Sequence, residues 1–111
     1  MERGKMKPSI KDEVLGYFVK EMRERLGTHL KQIILFGSRA RGDETAESDY
    51  DCLVVVDEAS RDIKDIIDEL AGAALYKHGA VFSIFPMPEK KLNLQKYNPF
   101  YINVAKEGVA L

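Results

Sequence analysis

The chain carries a single cysteine, Cys52. No internal disulfide can form, and a lone thiol suits a reducing cytoplasm. No apolar run approaches the ~18 residues that a membrane-spanning helix requires. The opening, MERGKMKPSIKDEV, has basic residues but lacks the apolar stretch of a secretory signal. An excess of one charge is missing as well: 17 Lys and Arg face 18 Asp and Glu, for a net charge of -1. There is no overall basic field for nucleic acid or an anionic membrane, so any bound polyanion must be held by a local site. Internal repeats and low-complexity segments are also lacking. What remains, 111 residues with 45% apolar and 32% charged side chains, suits one globular domain over residues 1–111 with a single core.

Ser9 is the expected cap of a first helix, with Asp12 three residues on in a capping-box-like spacing. Val14, Leu15, Phe18, Met22 and Leu26 recur at helical intervals, and Gly27 is the expected stop. LKQIILF (Leu30 to Phe36) and YDCLVVV (Tyr50 to Val56) are short, apolar and β-branched, which predicts two buried strands. Ser60 opens a second helix whose Ile63, Ile66, Ile67, Leu70 and Ala74 share a face, ending at Lys77-His78-Gly79. AVFSIF (Ala80 to Phe85) reads as a third strand that Pro86 and Pro88 stop. Asn98 as N-cap, Pro99 at the first position and Gly108 as stop predict a last helix. The order is α-β-(loop or short helix)-β-α-β-α, an α/β or α+β arrangement with helices packed on a small sheet.

Between the first two strands lies ILFGSRARGDETAESDYDCLVVV, Ile34 to Val56. Gly37-Ser38 directly follows a strand and precedes Arg39-Ala40-Arg41-Gly42, which can form one helical turn. Such a junction presents backbone N–H groups and a hydroxyl to phosphate oxygens, and glycine lets the backbone approach closely. Arg39 and Arg41 add permanent positive charge for binding a nucleotide, though only one of them need point inward. Asp49 and Asp51, two positions apart, point to one face at about 6.5 Å along the strand, while Tyr50 between them faces the other way. Two such carboxylates suit a magnesium ion, which takes oxygen ligands; without a cation, one would tend to keep its proton.

Gly37-Ser38-Arg39-Ala40-Arg41-Gly42 followed by Ser48-Asp49-Tyr50-Asp51 closely resembles the nucleotidyltransferase signature of the DNA polymerase beta superfamily. The short chain and its ending, NPFYINVAKEGVAL, are similar to the minimal nucleotidyltransferase (MNT) branch. The resemblance implies a nucleotidyltransferase fold, a small mixed sheet flanked by helices. It implies Gly37 and Ser38 as the residues that hold the nucleotide's triphosphate, and Asp49 and Asp51 as ligands of Mg2+ or Mn2+. The expected reaction is transfer of AMP from ATP to an acceptor hydroxyl. The acceptor is expected on a HEPN-type helical partner, as in a toxin–antitoxin pair, or on another copy of the chain. A third family carboxylate is expected on the following strand, where this chain has Ser83. The alternative is therefore a weak or inactive nucleotide- or partner-binding module.

Other residues have plainer readings. His29 and His78 need no catalytic role, and Cys52, oriented opposite to Asp51, is a core residue. Tyr97, Phe100 and Tyr101 are expected in the core, and PEKK is expected to be a solvated loop.

Overall fold

The structure, a computed structural model, describes residues 12–45 and 47–111. Its first helix, α1, runs Glu13–Leu26, capped by Asp12, whose side chain accepts from the Leu15 N–H at 3.0 Å. The expected cap Ser9 lies outside the described residues. A single 3-10 turn, Gly27–His29, leads into β1, Leu30–Phe36. One helical turn, α2, Ser38–Arg41, follows, and then β2, Tyr50–Val56. Helix α3, Arg61–His78, starts where Ser60 Oγ accepts from the Ile63 N–H at 3.3 Å and ends at the left-handed Gly79. Strand β3 is Phe82–Pro88, followed by the short helix α4, Glu89–Leu92, and the turn Asn93–Gln95. Helix α5, Pro99–Glu107, has Asn98 as its cap, accepting from the Phe100 N–H at 2.9 Å; β4, Val109–Ala110, comes last.

The strands form one sheet in the order β3-β2-β1-β4. β1 is antiparallel to both β2 and β4, while β2 and β3 are parallel, as a crossover through α3 requires. Alternation along the strands divides the sheet into two faces. Ile33, Leu35, Tyr50, Cys52, Val54, Val56 and Phe82 pack with Leu15, Phe18, Met22 and Leu26 of α1 and Ile63, Ile67, Leu70 and Ala74 of α3. On this face Phe18, Phe82 and Tyr50 form a stack, with centroids 3.9 Å and 4.5 Å apart and nearly parallel rings. The other face is smaller: Leu53 and Val55 with Val104 of α5, edged by Ile34, Phe36, Met87, Leu92 and Tyr101.

Three expectations change. The third strand does not stop at Phe85 but runs on through Pro86 and Pro88. It is an edge strand, paired only with β2, so a missing N–H on the open side costs no ladder hydrogen bond. PEKK is not a loop: Glu89–Leu92 is helical, because Leu92 turns back onto the second core. Of the three aromatics assigned to the core, Tyr101 is half-buried, while Phe100 is 36% and Tyr97 82% exposed. The smaller face has too little cover to enclose all three. The edge strand β4 has no counterpart in the expected order; it forms because Val109 pairs with Leu35.

Candidate active site

β1 ends at Phe36, and the chain turns at Gly37 with φ 79° and ψ -162°, a backbone conformation that L side chains rarely adopt. The Gly37 carbonyl accepts from the N–H groups of Ala40 and Arg41, which closes the turn of α2. The N–H groups of Ser38 and Arg39 are then the first-turn donors without an intrahelical acceptor. Gly42, with φ 86°, ends the turn.

Across the ladder from Phe36 stands Asp51. Its carboxylate fills the space where a side chain at position 37 would go: a Cβ there would collide with Oδ2 and stand 3.3 Å from Cγ. The glycine-serine corner and the acid are therefore in contact, at one end of one pair of strands. Asp51 also registers against Ser83 on the neighbouring β3, and parity places Phe36, Asp51 and Ser83 on the same, less covered face. Asp49 precedes β2 and is exposed. Partial burial pushes the Asp51 carboxyl above its ordinary range, the charge of Asp49 pushes it further, and Arg41 opposes both. The charge of Asp49 thus reaches Asp51, although Asp49 stands one residue before the strand rather than within it.

The arginines diverge. Arg41 is half exposed, bonds to Asp43 at 3.3 Å and Glu107 at 3.2 Å, and its charge reaches Asp51. Arg39 turns the other way. Its guanidinium lies 4.0 Å from the Tyr50 ring centroid, and Nε donates to the Ser48 carbonyl at 3.0 Å. Tyr50 faces the α1–α3 core and donates its hydroxyl to Asp12 at 2.7 Å. Its phenol is pushed up to about 12, first by burial and then by that bond. Asp12 and Tyr50 as partners were not legible in the sequence. Thirty-eight positions separate them, and the local patterns that hold them, a helix start and the Ser48–Asp51 run, do not link one to the other.

Among the described residues no group of three or more His, Cys, Asp or Glu side chains converges as a metal cage. The donors at hand are two hard carboxylates beside a phosphate-sized corner. That set fits magnesium, which is commonly held by one or two carboxylates together with substrate phosphates rather than by an all-protein cage. His29, exposed, pairs with Asp57 at 2.9 Å at the far end of the β1–β2 ladder, and His78 packs edge-on against Tyr17. His78 also lines a cavity with Asp49, whereas His29 sits at the opposite end of the strands. Cys52 is fully buried, as expected.

Comparison with known proteins agrees with this geometry. Over 100 residues the chain is 37% identical to "Putative protein adenylyltransferase MJ0604" of Methanocaldococcus jannaschii, covering 90% of this chain and 96% of that protein. A second protein of the same organism, "Putative protein adenylyltransferase MJ1305", is 27% identical over 96 residues, covering 84% and 65% of the two chains. A crystal structure of a toxin–antitoxin with AMP-PNP superposes with a TM-score of 0.59 at 19% identity, covering 85% of this chain and 69% of that one. Another, of a mutant of the toxin–antitoxin MntA-HpeT, gives 0.60 at 23% identity, covering 86% and 69%. At these identities the likeness to both structures is one of fold. The nucleotidyltransferase domain model matches residues 15–107. This chain, with its acid pair set against a glycine-serine corner, belongs to the nucleotidyltransferase domain family.

Proposed function

We propose that the protein is a magnesium-dependent adenylyltransferase, moving AMP from ATP to a hydroxyl on a partner protein, and that residues 1–111 act as one minimal catalytic domain. The observation that carries the reading is the contact between the Gly37 corner and the Asp51 carboxylate. It puts a phosphate cradle and a cation site within one nucleotide's reach. The adenylyltransferase relatives and the nucleotidyltransferase family support the choice of reaction.

In this reading the N–H groups of Ser38 and Arg39 and the Ser38 hydroxyl receive triphosphate oxygens. Arg41 supplies positive charge at the same end. Asp49 and Asp51 would hold Mg2+ or Mn2+, which when bound would neutralise the phosphates and make the α-phosphorus more electrophilic. The acceptor oxygen forms a bond to that phosphorus, pyrophosphate leaves, and the acceptor's proton passes to solvent. Ser83 offers a neutral hydroxyl where a third acid would help hold a second cation, so the acceptor oxygen is weakly activated and turnover is slow. A domain this small leaves recognition of the acceptor to the partner. The toxin–antitoxin structures of the same fold, together with the MNT resemblance, favour a HEPN-type helical protein over a second copy of this chain. With its single cysteine, the protein is assigned to the cytoplasm.

The test is incubation with labelled ATP, Mg2+ or Mn2+, and the product of the adjacent gene. Label on that product, lost in Asp49→Asn, is the expected result. A complex that forms normally while no label moves would overturn the enzyme in favour of the binding module that Ser83 suggests.

A further inference from the structure

The charge reading of Gly37–Gly42 offers both arginines to the nucleotide, with only one needing to point inward. The geometry divides them. Arg39 stacks on Tyr50, and Tyr50 is the outer ring of the Phe18–Phe82–Tyr50 stack, on the face of the sheet opposite to Asp51. Its fork is occupied: Nε donates to the Ser48 carbonyl at 3.0 Å, Nη2 to the Thr45 carbonyl at 3.4 Å, and Nη1 stands 3.8 Å from Asp12. The side chain is only 15% exposed. Thr45 and Ser48 are further tied to one another, through the Thr45 N–H to Ser48 Oγ at 2.9 Å and the Ser48 N–H to the Thr45 carbonyl at 3.1 Å. Ser48 is the residue immediately before Asp49.

We infer that Arg39 is a positioning residue, fastening the Thr45 and Ser48 backbone to the buried aromatic stack so that Asp49 is delivered beside Asp51, and that it does not contact the nucleotide. The inference rests on the proposed function only in that Asp49 is taken as a cation ligand. Arginine suits the task where lysine would not. One planar group meets two carbonyls three residues apart while its flat face lies on a ring, whereas an ammonium is a single compact charge. Through this clamp the core face of β2 governs the exposed acid that precedes the strand.

The experiment compares wild type, Arg39→Lys and Arg39→Ala by three measurements: amide hydrogen exchange, calorimetric ATP affinity, and transfer kinetics against Mn2+. The Ser48 amide is expected to exchange about tenfold faster or more in both variants, with α3 unaffected. ATP affinity and the KM for ATP should stay within about twofold. The Mn2+ needed for half-maximal transfer should rise, and kcat fall, by about 10–100-fold, the range for loss of a group that orients a metal ligand. Lysine should not rescue. ATP binding weakened about tenfold with Ser48 exchange unchanged would make Arg39 a phosphate ligand and overturn the inference, as would full rescue by lysine. If wild type moves no label, the proposed reaction fails, yet Ser48 exchange still decides the clamp. Should Arg39→Ala not fold, Arg39→Lys alone supplies every readout.

Discussion

At the scale of single residues, position 37 combines a positive φ with side-chain space that is already taken. An alanine there needs a left-handed backbone and displaces the Asp51 carboxylate. Gly37→Ala is expected to cost about 1–3 kcal/mol of stability, the range for a strained backbone position, and to weaken ATP binding; thermal melts with ATP titration check both. Asp51 carries a pH signature. Its folded-state value is raised, so the native state holds a proton more tightly than the unfolded chain, and stability falls as pH rises through the window from the ordinary 3.8 up to the folded value. Asp51→Asn should therefore melt above wild type at neutral pH without divalent cation, lose that advantage in acid, and transfer nothing. A lower melting point at neutral pH would refute the electrostatic picture. Ser83 offers the converse. In Ser83→Asp a third carboxylate would face Asp51 across the β2–β3 register. Cation-free melting should drop from like-charge repulsion, stabilisation by Mn2+ should exceed that of wild type, and transfer should rise about tenfold or more if a second cation is recruited.

At the scale of elements, Asp12 joins three of them. It caps α1, accepts the buried Tyr50 hydroxyl of β2, and faces Arg39 of α2. Removing a cap costs about 1 kcal/mol, and orphaning a buried hydroxyl about 1–3 kcal/mol more. Asp12→Ala should thus lower the urea midpoint by the equivalent of about 2–4 kcal/mol with an unchanged m-value. How far these elements could be read from the chain follows their physics. The strands LKQIILF and YDCLVVV, and the helices bounded by Ser60 and Gly79 and by Asn98 and Gly108, were legible, because capping and periodicity are local. The end of β3 was not: whether a proline terminates a strand depends on which edge of the sheet it occupies, and that is set by the crossover. The pairing Val109↔Leu35 that makes β4 was equally hidden. At the site, Gly37-Ser38 and the two aspartates announce themselves by spacing. That one of Arg39 and Arg41 turns away was legible; which one was not, since Tyr50, Asp12 and the Thr45 and Ser48 carbonyls that hold Arg39 are gathered only by the fold.

For the molecule as a whole, β2 is the axis: Cys52, Leu53, Val54, Val55 and Val56 are all 2% exposed or less. Burial pushes the Cys52 thiol up to about 12. Its reaction with a thiol reagent should therefore require opening of the entire sheet, proceeding at least about a thousandfold slower than in urea-unfolded protein and tracking global stability across the variants above. Rapid labelling under native conditions would mean that β2 opens locally.

The prolines of β3 bear on what can join this sheet from outside. Pro86 and Pro88 share one parity on a border strand already bonded to β2, so the amide hydrogens they lack are missing from the outward rim. The opposite border, Val109–Ala110, is two residues long. An incoming strand finds a rim short of two donors on one flank and almost no length on the other. Extension by cross-chain zippering is thereby disfavoured, which leaves the helices and the thinly roofed face as the better seats for a companion.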